Sequence, residues 1–389
     1  MEQSHEQEVA TLVMIAICDR LAEPSSRHVL TDLDEVRFGR GERSATRKNR
    51  VLELQIPDGR MSKEHGRLVR TDAGWQLSDP SSKNGSAIDG VSTREGLLSD
   101  DAVLELGNTF FLFRIDRCPV ADTMEDELPG HPALRTFDGT LTERFAALET
   151  AARDSTAILI SGEPGSGKEV VAQAIHDLSG RTGSLVTIDC GALTADRVAI
   201  VRSANHGTLF LDEIDDLPLD AQQPLARALA EVDVRLCAAS QHSERDGYGF
   251  VIRLAPLRAR MVDLGMLLRR ILAPHPATVE PAAMRALLQH DWPLNIRELE
   301  KVTRTASALS SGAIGATHLP TTLHATPVIG IPAVQRERAQ QDARRARIVE
   351  LLVAHRGDVE AVAHALDSRR TQVERWLRRY DLDPATFRT

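Results

Sequence analysis

Cysteine is scarce in this chain. Cys18, Cys118, Cys190 and Cys237 are spread over 389 residues with no paired spacing, which excludes both a disulfide framework and a clustered zinc site. Long apolar runs are missing as well, since none approaches the ~20 residues that a membrane span requires. The opening Met1-Glu2-Gln3-Ser4-His5-Glu6 is acidic and polar, unlike the cationic and then apolar start of a secretory leader. Nor does any segment repeat internally. These absences set the expectation of a cytoplasmic chain with no membrane partner.

What remains is the make-up of a globular protein, 42% hydrophobic and 26% charged, with a length that suits two to four domains. The net charge of −9 is unevenly spread. Between Arg344 and Tyr380 there are nine arginines and no lysine against five carboxylates. An acidic chain with one basic end points to a local anion-binding surface there.

Three segments separate by rhythm. In the first, residues 10–116, short apolar or alternating runs (Thr11–Cys18, Val36–Gly39, Arg67–Arg70, Trp75–Asp79 and Phe110–Ile115) alternate with turn formers such as Asp58-Gly59, Asn84-Gly85 and Asp89-Gly90, the pattern of a β-sandwich. Residues 117–139, rich in acid, Pro and Gly, read as a linker. Over 140–271 strands and helices alternate, as in a parallel sheet covered by helices. Residues 272–323 read as a helical lid, with Met284–Leu288 and Ile296–Ala308 at helical spacing. A second linker, 324–342, precedes a helical end, 343–389. Arg43, Arg47, Lys48 and Arg50 read as an enlarged, solvated basic loop.

The densest chemical signal lies at Gly162-Glu163-Pro164-Gly165-Ser166-Gly167-Lys168, which follows the apolar run Ile158–Ser161 and precedes a helical pattern. Such a loop wraps phosphates with successive backbone amides, reaches them with the lysine ammonium and adds the positive end of the new helix. Thr208–Asp212 is an apolar strand ending in two carboxylates, Asp212 and Glu213, suited to hydrated Mg2+ and to polarising a water. Together, in this order, they indicate nucleotide binding. A strand–turn–helix without ligand is the alternative.

Three resemblances to known families follow. Residues Phe38-Gly39-Arg40, Met61-Ser62-Lys63-Glu64-His65 and Ser82-Lys83-Asn84-Gly85, with Trp75 and Leu77 between them, resemble a forkhead-associated (FHA) domain, a β-sandwich that binds phosphothreonine. The resemblance implies phosphate contacts from Arg40, Ser62 and Lys63, a main-chain clamp from Asn84 and a buried bracing role for His65. A phosphate dianion needs such a cationic fork and hydroxyl donor. A sandwich whose loop polars only cap turns is the alternative.

The centre resembles the AAA+ domain of the enhancer-binding proteins that activate sigma-54 polymerase, on Gly162–Glu169, Ile188–Leu193, Gly207–Ile214, Pro256-Leu257-Arg258-Ala259-Arg260 and Trp292–Leu299. By that resemblance Gly162, Glu163, Gly165, Ser166, Gly167, Lys168 and Glu169 form the nucleotide loop. Asp212 places Mg2+, Glu213 polarises the attacking water, Arg297 senses nucleotide from the lid, and Gln241 stands where the family has an asparagine. The departures are pronounced. Asp212 follows Lys168 by only 44 positions, and the family's Gly-Ala-Phe-Thr-Gly-Ala loop, which touches sigma, occurs nowhere. Between Ala239 and Pro256, where the family carries arginines that reach into a neighbour's site, only Arg245 stands ahead of Arg253, and it is a poor substitute. An arginine of that kind can be worth ~10³–10⁵ in rate.

Residues 344–382 resemble a Fis-type helix-turn-helix. That resemblance implies a dimer and DNA contacts from Arg369, Arg370, Thr371, Glu374, Arg375, Arg378 and Arg379, while Val373, Trp376, Leu377 and Tyr380 repeat at core-facing spacing. A solvated arginine-rich helix is the alternative. The combined expectation is a multidomain chain: FHA β-sandwich, α/β P-loop AAA+ module with helical lid, and all-α helix-turn-helix. It would be a transcriptional regulator with a phosphothreonine-bearing partner, DNA, ATP and Mg2+, binding nucleotide without acting as a sigma-54 remodeller. Two rivals are an active, oligomeric ATPase working on sigma-54 polymerase and an FHA adaptor that does not bind DNA.

Overall fold

The computed structural model describes residues 8–116, 120–154, 156–196, 198–242 and 247–324, and in the C-terminal part 348–349, 351–353, 355, 357–365, 373, 377, 382 and 384–387. The chain divides into two compact units, Met1–Pro327 and Val328–Thr389.

The N-terminal part of the first unit is a β-sandwich. One sheet runs Thr123–Met124, Ser26–Val29, Val9–Ile17, Thr109–Asp116, Val103–Leu106, Ser86–Ile88 and Val91–Thr93. The other runs Glu95–Leu97, Gly74–Ser78, Gly66–Thr71, Glu35–Arg40, Val51–Ile56 and Ser44–Lys48. Between them Leu12, Met14, Val36, Phe38, Leu52, Leu68, Trp75, Phe111 and Phe113 form the core, with Phe38 and Phe111 tilted at a centroid distance of 5.3 Å.

Two expectations need correction here. The basic segment 43–50 is not a loop: Ser44–Lys48 is an edge strand paired with Val51–Ile56, and Asn49 and Arg50 make the left-handed turn between them. Its arginines are matched to carboxylates, Arg43 to Glu23, Arg47 to Asp122 and Arg50 to Asp34. The segment 117–139 is no free linker in its described part. Thr123–Met124 pairs with Ser26–Val29, and Leu128, Leu134 and Phe137 are buried.

The central module is a five-stranded parallel sheet in the order Leu185–Asp189, Thr208–Asp212, Arg235–Ser240, Ile158–Ser161, Phe250–Arg253. Helices α1 (Gly139–Arg153), α2 (Lys168–Leu178) and α3 (Leu219–Ala230) accompany it. Asp138 caps α1 through Leu141 N. Buried Arg235 donates to the carbonyls of Ala151, Ala152 and Thr156, closing the C-terminal end of that helix. Among the described residues of 190–207 the structure has the 3-10 turns Cys190–Ala192 and Val198–Ala204.

Helices α4 (Leu264–Leu272), α5 (Pro281–Gln289) and α6 (Asn295–Leu309) follow. Helix α4 shares the apolar cluster of α5 and α6, so the helical lid begins ahead of the expected residue 272. That cluster also takes in Val13, Ile15, Ala16, Cys18, Phe110 and Leu112 of the sandwich. Strands Val9–Ile17 and Thr109–Asp116 are thus buried on both faces, with alternate residues entering different cores. Polar bonds surround the contact. Arg269 donates to the carbonyls of Leu21 and Glu23 and pairs with Glu125, Arg114 donates to Ala259 O at 3.0 Å, and Arg285 grips Glu105 at 2.7 and 3.1 Å.

In the second unit Ile348, Leu351, Leu352, Val362, Ala363, Val373 and Leu377 form a small core. Gly357, at a φ of 74°, donates to Leu352 O, and Asp358 accepts from the amides of Glu360 and Ala361 at the start of helix α7 (Val359–Ala365). One helix is thereby ended and the next begun.

Gly265 is the tightest point between sandwich and lid, since a Cβ there would stand 1.8 Å from the carbonyl oxygen of Ile15. Gly265→Ala is expected to lower the stability of the chain by about 2 kcal/mol or more, as overpacking against backbone does, measured by denaturant unfolding.

Candidate functional site

The loop 162–168 leaves the buried strand Ile158–Ser161 and turns into α2. Gly162, Gly165 and Gly167 take φ values of 159°, 72° and 102°, and the last two lie where a side chain is strained. Lys168, at the head of α2, donates through Nζ to the carbonyls of Gly162 and Glu163 at 3.0 and 3.1 Å. Burial pushes its ammonium below the usual lysine range, and Asp212 and Glu213 pull against that. Ser166 Oγ is buried inside the loop without a hydrogen-bond partner among the described residues.

Asp212 closes the strand Thr208–Asp212. Glu213 follows in the left-handed region at a φ of 50°, its amide on Asp212 Oδ1 at 3.1 Å. Beyond them Asp215 accepts from Ser240 Oγ at 2.8 and 3.0 Å and from the amide of Gln241 at 2.9 Å. This ties the acidic turn to the neighbouring strand end. On the lid, Arg297 approaches Glu169 at 3.6 Å with both side chains largely exposed. Phosphate loop, both carboxylates and Arg297 therefore gather at one end of the parallel sheet, the end where such sheets bind ligands. Arg245 lies outside the described residues, as do Arg369, Arg370, Thr371, Glu374, Arg375, Arg378 and Arg379.

The second constellation sits on sandwich loops. Arg40 is exposed at the end of its strand; its amide donates to Ser62 O at 2.9 Å and its Nη1 to Gly59 O at 3.4 Å. Ser62 Oγ accepts from the amide of Lys83, and Asn84 Nδ2 donates to Arg60 O at 2.6 Å. His65 is buried and bridges the loops, accepting from Ser62 N at Nδ1 and meeting Gly85 O at 3.1 Å through Nε2. Gly39 is required by proximity, because a Cβ there would stand 2.2 Å from Lys63 O. So Arg40, Ser62, Lys63 and Asn84 come from three loops held together by hydrogen bonds, with Lys63 exposed beside them.

Four residues that matter here carried no assigned role at the sequence level: Asp79, Asp215, Arg258 and Asn295. Asp79 is fully buried and accepts from Ser82 N, Ser82 Oγ and Ser86 Oγ, and Ser82 Oγ in turn accepts from Gly85 N. An aspartate three positions before a serine hints at such a turn, yet only the fold places it under the loop that carries Asn84. Asn295 and Arg258 lie inside motifs visible in the sequence, but their contacts with the phosphate loop are long-range.

Residues 140–246 match the sigma-54 interaction domain, 258–330 the AAA+ ATPase lid domain and 36–107 the FHA domain. The formate hydrogenlyase transcriptional activator of Salmonella typhimurium is 29% identical over 294 residues, covering 61% of this chain and 42% of its own length. The chain therefore spans less than half of that relative. The pathogenicity locus probable regulatory protein HrpS of Pseudomonas savastanoi pv. phaseolicola is 30% identical over 282 residues, covering 57% of this chain and 88% of its own length. Among solved structures, NtrX from Brucella abortus in complex with ATP is 22% identical, with a TM-score of 0.44 over 65% of this chain and 70% of that one. No helix among the described residues is long and apolar enough to cross a membrane.

Burial pushes the Asp79 carboxyl up, but the hydrogen bonds from Ser82 and Ser86 outweigh it and hold the group below its ordinary value. A depressed carboxyl adds stability that is complete above pH ~4 and is lost as the pH falls below that. Asp79→Ala leaves those donors unmatched, and is expected to lower stability at pH 7 by at least about 2 kcal/mol. The difference from wild type should shrink in acid unfolding below pH 4.

Proposed function

The chain belongs to the family of sigma-54-dependent transcriptional regulators and carries an FHA domain, and from that premise we propose that it is a phosphothreonine-sensing, ATP-binding transcriptional regulator with a DNA-binding C-terminal end. The observation that carries the reading is the presence of two phosphate-ready sites in one packed unit: the glycine loop with Lys168, and the tied loops bearing Arg40, Ser62, Lys63 and Asn84.

At the first site Lys168 and the loop amides would hold the phosphates of ATP, Asp212 would hold Mg2+, and Glu213 would orient water. The buried Ser166 hydroxyl and the two carboxylates beside Lys168 fit that ligand. Mg2+ would supply neutralisation of phosphate charge. At the second site the guanidinium of Arg40 and the hydroxyl of Ser62 would take the phosphate, and Asn84 the peptide backbone. DNA would be met by Arg370, Thr371, Glu374 and Arg375 at base edges and by Arg378 and Arg379 at phosphates, with Arg369 a further DNA contact.

Competence as a sigma-54 remodeller is a separate matter, and the chain's own sequence supports the negative answer. Only 44 positions separate Lys168 from Asp212, with no Gly-Ala-Phe-Thr-Gly-Ala segment between them, and between Ala239 and Arg253 the sequence offers Arg245 alone as a candidate for the neighbour-reaching arginine. We read the module as a nucleotide-binding switch within a regulator that acts on DNA as a homo-oligomer.

Arg40→Ala is expected to abolish binding of a phosphothreonine peptide in calorimetry while the melting curve stays put, because the Arg40 side chain is exposed and outside the sandwich core. Unchanged affinity would remove the sensory half. In electrophoretic shift, Arg378→Ala should weaken specific and random DNA alike and reduce the salt slope by about 1, whereas Arg370→Ala should relax sequence preference.

A further inference from the structure

Every carbonyl of the phosphate loop from Gly162 to Ser166 is taken. Lys168 holds those of Gly162 and Glu163, Asn295 Nδ2 that of Pro164 at 3.0 Å, the amide of Ile296 that of Gly165 at 3.0 Å, and Arg260 Nη2 that of Ser166 at 2.9 Å. In a planar trans peptide the following N–H points opposite to the carbonyl. Tethering the carbonyls of Pro164 and Ser166 therefore turns the amides of Gly165 and Gly167 away from the lid. Three of these tethers come from the start of α6 or from the segment Leu257–Arg260 that leads to the lid.

The side chain of Glu163 adds a second layer. Arg258 binds it in a two-pronged pair at 2.7 and 2.8 Å, and Asn295 Nδ2 reaches the same carboxylate at 3.2 Å. Asn295 is itself fixed, fully buried in the left-handed region with its Oδ1 on Leu257 N at 2.7 Å. The fit is close: a Cβ on Gly165 would stand 2.2 Å from Leu294 O. Fork geometry of this kind fixes direction as well as distance.

We infer that Glu163, Arg258 and Asn295 are positioning residues for nucleotide phosphate, which lock the loop to the lid so that its amides are set before the ligand arrives. The inference rests on the nucleotide-binding reading above. Its sign separates it from plain electrostatics. Glu163 is an anion beside a site for anions, so by Coulomb's law alone its neutralisation should tighten nucleotide binding. Under positioning, neutralisation loosens the loop and weakens binding.

The test is titration of the full-length chain with a fluorescent ADP analogue at fixed ionic strength, with thermal unfolding in parallel. Wild type, Lys168→Ala, Glu163→Gln, Asn295→Asp and Arg258→Lys are compared. The expected result is saturable binding by wild type, its loss in Lys168→Ala, and affinity lowered about tenfold or more in Glu163→Gln with the melting temperature unchanged, the scale of one charge-assisted bond. Arg258→Lys, which keeps the charge but not the fork, should also bind more weakly, and it carries the comparison if Glu163→Gln does not fold. Affinity at or above wild type in Glu163→Gln and in Arg258→Lys overturns the inference while leaving nucleotide binding standing. Absence of binding by wild type overturns both.

Discussion

Double-sided burial of two adjacent strands is the constraint on which the rest of the first unit depends. In Val9–Ile17, Leu12 and Met14 face the sandwich core while Val13 and Ile15 enter the core shared with the lid. In Thr109–Asp116, Phe111 and Phe113 do the first and Phe110 and Leu112 the second. Burying several large side chains on each face contributes roughly 1.5–3 kcal/mol per side chain before entropy is counted, so sandwich and lid are one body and not two beads on a string. Gly265 permits this by letting α4 meet the backbone at Ile15. The half-buried Arg114, Arg269 and Arg285 then decorate a contact that apolar packing has already made.

From that body the lid reaches the phosphate loop. Asn295 and Ile296 at the start of α6 bond its carbonyls, and Arg258 and Arg260 bond its side chain and backbone. Sandwich, lid and loop thus form a contiguous chain of packed and hydrogen-bonded groups, of the sort through which binding at one site can bias another. The parts proposed to bind are all of this kind: amides, a half-buried ammonium and loops braced by Asp79 and His65. On the reading proposed above, the parts a remodelling ATPase adds, a mobile loop toward its client and an arginine toward its neighbour, are reduced: only 44 positions separate Lys168 from Asp212, and Arg245 is the one arginine between Ala239 and Arg253. Loss of such an arginine lowers turnover far more than ground-state binding.

Much of this was legible in the sequence because it is local. Glycine spacing before Lys168, the apolar strand ending at Asp212 and Glu213, and the loops around Arg40, Ser62 and Asn84 are short-range patterns with a physical reason for each residue type. The less legible features are non-local. Leu12–Ile17 reads as a strand, but nothing in its continuous apolar run says that the second face belongs to a lid some 250 residues later. Ser44–Lys48 is exposed at every position, so its strand is set by pairing with Val51–Ile56 and not by alternation. Acid, Pro and Gly made 117–139 look like a tether, whereas Leu128, Leu134 and Phe137 anchor it. Asp79, Asp215, Arg258 and Asn295 gain their meaning only from partners that the fold brings to them.

The measurement that bears most directly on this account is ATP affinity and steady-state ATP turnover by the same purified chain, with Lys168→Ala as the control for both. Tight, Lys168-dependent binding with turnover no faster than the control is the predicted result. Sustained, Lys168-dependent hydrolysis at the rate of a working sigma-54 activator would contradict it, and would mean that another arginine completes the site.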